Sequence, residues 1–142
     1  MDICEIIKSY GKDYLILDFD NIFITDSIED EIIMYFPKDK LKIALADIEE
    51  IILKVFHINS YNRKKSLSKY SGGEKSIICF ALIMTVIKTN QIHELKIIFN
   101  NIIESLSENN LSIIKEQITL LNKETNLYIY YLKNGDLCKY AL

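Results

Sequence analysis

The stretch Tyr70–Lys88, YSGGEKSIICFALIMTVIK, decides the fold. Ser71 has the kind of side chain that caps a helix N-terminus, and the next two residues, Gly72 and Gly73, let another group approach the backbone closely. The residues that follow are apolar on nearly every face of a helix, so a helix over Ser71–Lys88 must lie between other elements. Its free N–H groups and the positive end of its dipole favour phosphate at the first turn.

Before this helix the chain has a β-rich segment and a mainly helical one. Tyr14–Ile24 is rich in apolar β-forming residues and predicts one or two strands. Ser27 predicts the cap of a short helix with acidic residues in its first turn, which ends at Phe36 before Pro37.

A longer helix is predicted over Lys40–Phe56, capped by Asp39, because its apolar residues recur at i, i+3 and i+4. The polar and basic segment His57–Tyr70 predicts an exposed loop. We therefore treat residues 27–70 as a helical segment that resembles an insertion, and residues 71–142 as the part that carries the buried helix.

After the buried helix, Leu95–Phe99 predicts a short strand of a buried parallel sheet. Glu108–Leu121 predicts an amphipathic helix, and Leu127–Leu132 and Leu137–Ala141 predict a hairpin around Asn134-Gly135. The order of elements is typical of an α/β fold, a central sheet with flanking helices and a C-terminal β-hairpin.

Composition narrows the class of protein. The 142 residues suit a single domain, 1–142, and the net charge of −3 gives no basic excess, so nucleic acid is not an expected direct partner. Three cysteines without a CxxC pair favour a reduced, cytoplasmic setting without disulfides or zinc. The N-terminus lacks the pattern of a signal peptide, and the longest apolar run, Ile77–Ile87, is too short to span a bilayer.

The stretch Leu67–Lys75, LSKYSGGEK, followed by an apolar helix, closely resembles the signature motif and signature helix of ATP-binding-cassette ATPases. Its Glu74-Lys75 ending is similar to the chromosome-maintenance and break-repair branch of that family. In the family this motif serves a nucleotide that is held by the partner chain across a dimer interface. The residues that the resemblance assigns to this role are Ser71, Gly72, Gly73 and Glu74.

The resemblance extends along the chain in the same order. In the family, the strand after the signature helix ends in the Walker B pair, an Asp linked to magnesium and a catalytic Glu; Asn100 and Asn101 stand at these positions. Ser107 stands where the following loop has Asp, and Asp18 lies near the position of the family's Q-loop glutamine. Tyr128–Tyr140 resembles the hairpin that ends many cassettes.

The groups that perform the family's chemistry are missing from the sequence. There is no GxxxxGKS or GxxxxGKT, and Gly11-Lys12 lacks the earlier glycine, so no phosphate-binding P-loop is present. Asn100 cannot supply the carboxylate that helps to hold magnesium, and Asn101 cannot act as a general base. No histidine stands where the family has its switch histidine, and Tyr131 is the nearest polar aromatic residue.

The sequence thus predicts a degenerate, truncated cassette-like protein with no catalytic or metal-binding residues and no cofactor of its own. It would act through protein contacts, with an intact ATPase of this type or a second copy as partner, and would share ATP only by offering the signature residues. Two alternatives stay open. The chain is a structural adaptor whose glycines only start a helix, or it is one half of a split ATPase.

Weaker candidates lie elsewhere in the chain. Asp18 and Asp20 resemble the paired carboxylates of DxD phosphotransferases, which would make the protein an active phosphoester enzyme; acids at a strand end are the simpler explanation. Arg63–Lys69 is a basic loop that suits phosphate, an acidic partner or plain solvent. Strand alternation places Tyr128 and Tyr130 on one face and Tyr131 on the other, as a contact surface or as packing.

Overall fold

The structure is a computed structural model that describes residues 3–140. Within that range it has a four-stranded sheet and helices on both of its faces. The helices are α1 (Ile3–Tyr10), α2 (Ile28–Glu31), α3 (Leu41–Glu50), α4 (Gly72–Thr89) and α5 (Glu108–Leu121). The strands are β1 (Leu15–Asp18), β2 (Glu94–Asn100), β3 (Asn126–Lys133) and β4 (Asp136–Lys139).

The sheet follows chain order, β1-β2-β3-β4. Strands β1, β2 and β3 are parallel, and β4 returns antiparallel to β3. The register places Asp18 beside Asn100 and Phe99 beside Tyr131. Because the first three strands are parallel, their carboxyl ends meet at one edge of the sheet, where open α/β sheets bind their ligands.

One hydrophobic cluster joins the helices to one face of the sheet. It includes Ala44 and Ile48 of α3, Ile77, Ile78 and Ala81 of α4, Ile114 and Ile118 of α5, Ile97 and Phe99 of β2, and Leu127 and Ile129 of β3. Most of α4 is buried between these neighbours, as its apolar sequence predicts.

The opposite face of the sheet carries α1, which the sequence did not predict. Ile6 of α1 is fully buried, and the rings of Tyr14 and Tyr130 meet edge to face with centroids 5.4 Å apart. Tyr131 points to the other face, where its ring contacts Tyr140. The predicted alternation of the tyrosines along β3 is therefore confirmed.

Several predicted elements are confirmed. The mixed α/β class is correct, α5 has the predicted bounds, and α4 begins directly after its cap, Ser71. Ser27 caps α2 by accepting a hydrogen bond from Asp30 N at 3.2 Å. The terminal hairpin also forms: Asn134 and Gly135 have φ of 52° and 80°, as a tight turn between right-twisted strands requires. The predicted end of the hairpin, Ala141, lies outside the described residues.

The prediction of one or two strands in Tyr14–Ile24 is confirmed as a single strand, β1. A 3₁₀ turn, Phe19–Asn21, follows at once. Asp18 accepts a hydrogen bond from the side-chain amide of Asn21 at 3.2 Å, a local interaction that competes with strand pairing.

The predicted helix over Lys40–Phe56 is confirmed in its extent but differs in its cap and in the form of its last turn. Asp39 does not cap it, because Pro37 in extended conformation starts a 3₁₀ turn over Lys38–Lys40 that contains Asp39. At its other end α3 stops at Glu50 and continues as a π-helical turn, Ile51–Val55.

The predicted loop His57–Tyr70 is not uniformly exposed. Ile58, Leu67 and Tyr70 are buried, and a 3₁₀ turn forms over Leu67–Lys69 just before α4. The loop is thus packed against the rest of the domain up to the residue where α4 begins.

Candidate functional site

The first turn of α4 has a capping box. Ser71 Oγ accepts from Glu74 N at 3.2 Å, and the Glu74 carboxylate accepts in return from Ser71 N at 2.9 Å. A box of this type satisfies two N–H groups that a helix start leaves without intrahelical partners. Ser71 itself is exposed. Sequence and structure agree on how this turn begins.

Glu74 is held by more than the cap. Its second carboxylate oxygen accepts from Ser60 Oγ at 3.3 Å. The hydrogen bond from the backbone N–H of Ser71 is the main reason that the pKa of Glu74 lies below its usual value, while partial burial opposes the shift. The side chain is therefore ionised at neutral pH and lends negative charge to the first turn of the helix.

The two glycines let α4 start close to the sheet. A Cβ atom at Gly72 would lie 3.0 Å from the ring of Phe19, and one at Gly73 would lie 3.0 Å from the backbone oxygen of Ser105. Phe19 directly follows β1, and Ser105 lies in the turn after β2. The candidate signature residues are thus packed against the loops at the carboxyl edge of the sheet.

At that same edge, β1 and β2 end in a carboxylate and an amide that contact each other. Asp18 Oδ1 accepts from Asn100 Nδ2 at 2.8 Å, and Asp18 Oδ2 accepts from the Asn21 amide. Asp18 is only 9% exposed. Both of its oxygens are therefore engaged by neutral amides of the same chain.

An open cleft surrounds this pair. It is lined by Ile3, Asp18, Asp20, Asn100, Asn101, Leu132, Asn134 and Gly135. Asn101 is exposed and adopts a φ of 61°, in the left-handed region that Asn tolerates better than most residues. Among the residues that the structure describes, no three His, Cys, Asp or Glu side chains are grouped as metal ligands would be.

The remaining predicted positions have local roles. Ser107 caps α5 by accepting from Asn110 N at 3.1 Å. Tyr131 faces away from the cleft, and Leu132 lines it instead. The position nearest the cleft on β3 thus has no group that can exchange a proton.

The basic loop Arg63–Lys69 is largely engaged within the chain. Arg63 forms an ion pair with Glu49 at 2.6 Å. Lys65 places its ammonium 4.2 Å from the centre of the Tyr70 ring. Two of its cations thus stabilise the loop that leads into α4.

Comparisons with known proteins bear on the fold. Neither a protein-family description nor a curated protein matches this sequence. Among solved structures, the chain resembles the crystal structure of an SmcHead bound to the C-winged helix domain of ScpA. The TM-score is 0.57 and the sequence identity 14%, over 97% of this chain. The chain shares the fold of an SMC head.

The match covers the two chains to different extents. It spans 59% of the chain in that structure. At 14% identity the likeness concerns the path of the backbone and not the chemistry of individual residues. Among the described residues, no helix combines the length and the apolarity needed to cross a bilayer.

Sequence reasoning missed one residue near the site, Glu31. Its place in the acidic first turn of α2 predicted only a favourable interaction with the helix dipole, yet the side chain is fully buried. A signal was present: Glu31 stands three residues after Ile28 and one before Ile32, on the apolar side of the helix. The carboxylate is consequently enclosed with these two buried isoleucines.

Proposed function

We propose that this chain is a cassette-like protein that does not hydrolyse nucleotide itself and acts through contacts with a partner chain. In this proposal, Ser71–Glu74 contribute to a nucleotide site whose P-loop belongs to the partner, which is an intact ATPase of the same type or a second copy. ATP would then be shared between the two chains.

One observation carries the proposal. The signature-like turn is exposed and pre-formed by its capping box, whereas the edge of the sheet beside it has amides where the family has acids. Both oxygens of the Asp18 carboxylate accept from neutral amides and are therefore not free to bind magnesium. A chain that has the signature-like turn but lacks the Walker B acids is suited to contribute to a nucleotide site on another chain.

The similar SMC head offers limited further support. That protein was crystallised with a second protein bound to it, so a head of this fold is compatible with partner contacts. The identity of any partner of this chain is part of the proposal.

The test begins with a search of the neighbouring genes for a P-loop ATPase, which is then co-expressed with this chain for ATP hydrolysis assays on the complex. We expect Ser71→Arg to lower the partner-dependent rate at least tenfold, because the new side chain would occupy the exposed start of α4. Ser112→Arg is the matched control, since Ser112 is an exposed residue of α5. Equal rates for the two variants in an assembled complex would rule out signature donation.

The adaptor alternative has its own support. Gly72 and Gly73 have close neighbours in Phe19 and Ser105, so packing alone explains why the chain needs glycine there. An adaptor would bind its partner with the same affinity whether or not Ser71 is replaced by Arg, and binding measurements on both forms would show it.

The split-ATPase alternative is supported by the extent of the match, since the chain spans 59% of the SMC head chain. It predicts a separate P-loop polypeptide that is inactive alone and gains ATPase activity when mixed with this chain. A P-loop partner that is fully active without this chain would exclude it.

A further inference from the structure

Glu31 is a buried carboxylate that holds a stretch of backbone. None of its side chain is exposed. One carboxylate oxygen accepts from Ile24 N at 3.1 Å and from the Tyr35 hydroxyl at 3.2 Å. The other accepts from Thr25 N at 2.8 Å and from the Thr25 hydroxyl. Four donors thus converge on one side chain.

Burial of a carboxylate is unfavourable unless hydrogen bonds compensate for the lost water. Within residues 3–140, no Lys or Arg forms an ion pair with Glu31, so backbone N–H groups and hydroxyls provide that compensation. Burial, and then the Glu31 carboxylate, raise the pKa of Tyr35 to about 12, so its hydroxyl remains a donor at neutral pH. An apolar residue would fill the same space but could not bind Ile24 and Thr25.

The segment that Glu31 binds, Ile24–Thr25, is directly followed by Asp26. Asp26 is hydrogen-bonded to residues that lie just before α4. Its backbone oxygen accepts from Leu67 N at 2.7 Å. Its carboxylate accepts from Ser66 Oγ at 2.7 Å. Three residues beyond Leu67 the chain reaches Tyr70 and then the cap of α4, Ser71.

A second connection runs through α2 itself. Glu29 N donates to the backbone oxygen of Arg63 at 3.1 Å, which ties the start of α2 to the loop before α4. Through these two connections, residues 63–67 are hydrogen-bonded to α2 and to the segment 22–27. The side chain of Glu31 adds hydrogen bonds between α2 and the segment 22–27, which are also continuous through Ser27.

We propose that Glu31 is a positioning residue for the signature-like turn, acting through Thr25 and Asp26 on Ser66 and Leu67. The functional meaning of this role rests on the function proposed above, but the coupling itself is a property of this chain alone. It can therefore be tested without nucleotide or partner.

The test is amide hydrogen exchange, residue by residue, on Glu31→Gln. The glutamine NH₂ group would face donors instead of accepting from them, so at least one hydrogen bond is lost. We expect exchange at the hydrogen-bonded amides of Leu67, Ser71 and Glu74 to become roughly tenfold faster, the usual effect of losing one hydrogen bond to a charged group. Exchange over Glu108–Leu121 should rise only as far as global stability falls.

The control is Ile118→Val, which trims a fully buried residue of α5 and lowers global stability without touching α2. After correction for global stability, unchanged exchange at Leu67 in Glu31→Gln relative to this control would overturn the proposal. If Glu31→Gln does not fold, Tyr35→Phe removes a single donor from a half-exposed ring and gives the same readout in weaker form. Uniform exchange in that variant would overturn it equally.

The outcome separates this inference from the proposed function. Local loosening at Leu67 with an unaltered partner-dependent ATPase rate would support the positioning role and count against signature donation. Loss of ATPase rate without local loosening would leave signature donation standing and refute the role of Glu31.

Discussion

The contact between Asp18 and Asn100 shows how the residue type at one position affects the charge that the carboxyl edge of the sheet can bury. An amide at position 100 donates to the carboxylate at 2.8 Å and makes burial of Asp18 acceptable. A carboxylate at position 100 would remove that donor and add a second negative charge. The edge as built is therefore suited to an amide.

We expect Asn100→Asp to destabilise the fold by about 1–3 kcal/mol at pH 7, from the lost hydrogen bond and the repulsion between like charges. The repulsion raises the pKa of one carboxyl in the folded state above its unfolded value near 4. The folded state then binds more protons than the unfolded state, so stability is regained as the pH falls. Urea unfolding at pH 7 and pH 4 measures both effects.

Asn134→Asp is the control, because it adds the same charge to the same cleft without replacing the donor to Asp18. If both variants lose the same stability at both pH values, the Asp18–Asn100 bond is not the cause.

The capping box of α4 makes a second prediction at this scale. Ser71→Ala should lower stability by about 1 kcal/mol, the usual effect of removing an N-cap serine. The depressed pKa of Glu74 means that its contribution is present above its unfolded pKa and is lost as the pH falls through the folded value. Glu74→Gln should therefore differ from the wild type at pH 7 and approach it near pH 3 in urea unfolding.

Ser107→Ala gives the comparison for that experiment. Ser107 caps α5 in the same way, but its partner position holds Asn110 and not an acid. The effect of Ser107→Ala should not change between pH 7 and pH 3 for this reason. A parallel pH dependence in the two serine variants would contradict the role of Glu74.

At the scale of the element, the start of α4 packs against two groups that differ in how easily they can move. Gly72 faces a ring that can rotate, whereas Gly73 faces the backbone oxygen of Ser105, which cannot move alone. We expect Gly73→Ala to lower stability by about 1–3 kcal/mol through overpacking, and Gly72→Ala to have a clearly smaller effect. Urea unfolding of both variants tests this order, and the reverse order would show that α4 does not start where the structure places it.

The elements differ in how far sequence alone predicts them, and the reason is the range of the interactions that form them. The caps of Ser27 and Ser71 and the bounds of α5 depend on neighbours a few residues away, and they are confirmed. The π turn Ile51–Val55 and the 3₁₀ turn that contains Asp39 were missed, because local preferences for an α-helix compete there with Pro37 and with packing.

The candidate site shows the same limit. Its residues could be named from the sequence, but the bond between Asp18 and Asn100 joins positions 82 residues apart in the chain. That contact follows from the assembled sheet and has no local signature. The burial of Glu31 is different, because its partners Ile24 and Thr25 are near in sequence and its spacing from Ile28 was a local signal.

At the scale of the whole molecule, the question is whether the chain contains the motifs needed to bind nucleotide. The sheet ends at the short hairpin strand β4, and the matched region is 59% of an SMC head chain. We expect the isolated chain to bind Mg²⁺-ATP more weakly than 1 mM, because its sequence has no P-loop to surround the phosphates. Isothermal titration calorimetry measures this directly, and micromolar binding that depends on magnesium would contradict it.

The hydrogen bond between Asn100 and Asp18 also limits which substitutions the fold tolerates at position 100. A single base change turns an Asn codon into an Asp codon, so mutation can readily place an acid at position 100. Such a mutant would be disfavoured through its folding, whatever it might gain in chemistry, because the new acid would face Asp18 at hydrogen-bonding distance. We expect a lineage with an acid at position 100 to have replaced Asp18 first, and the order of the two substitutions could be read from related genes.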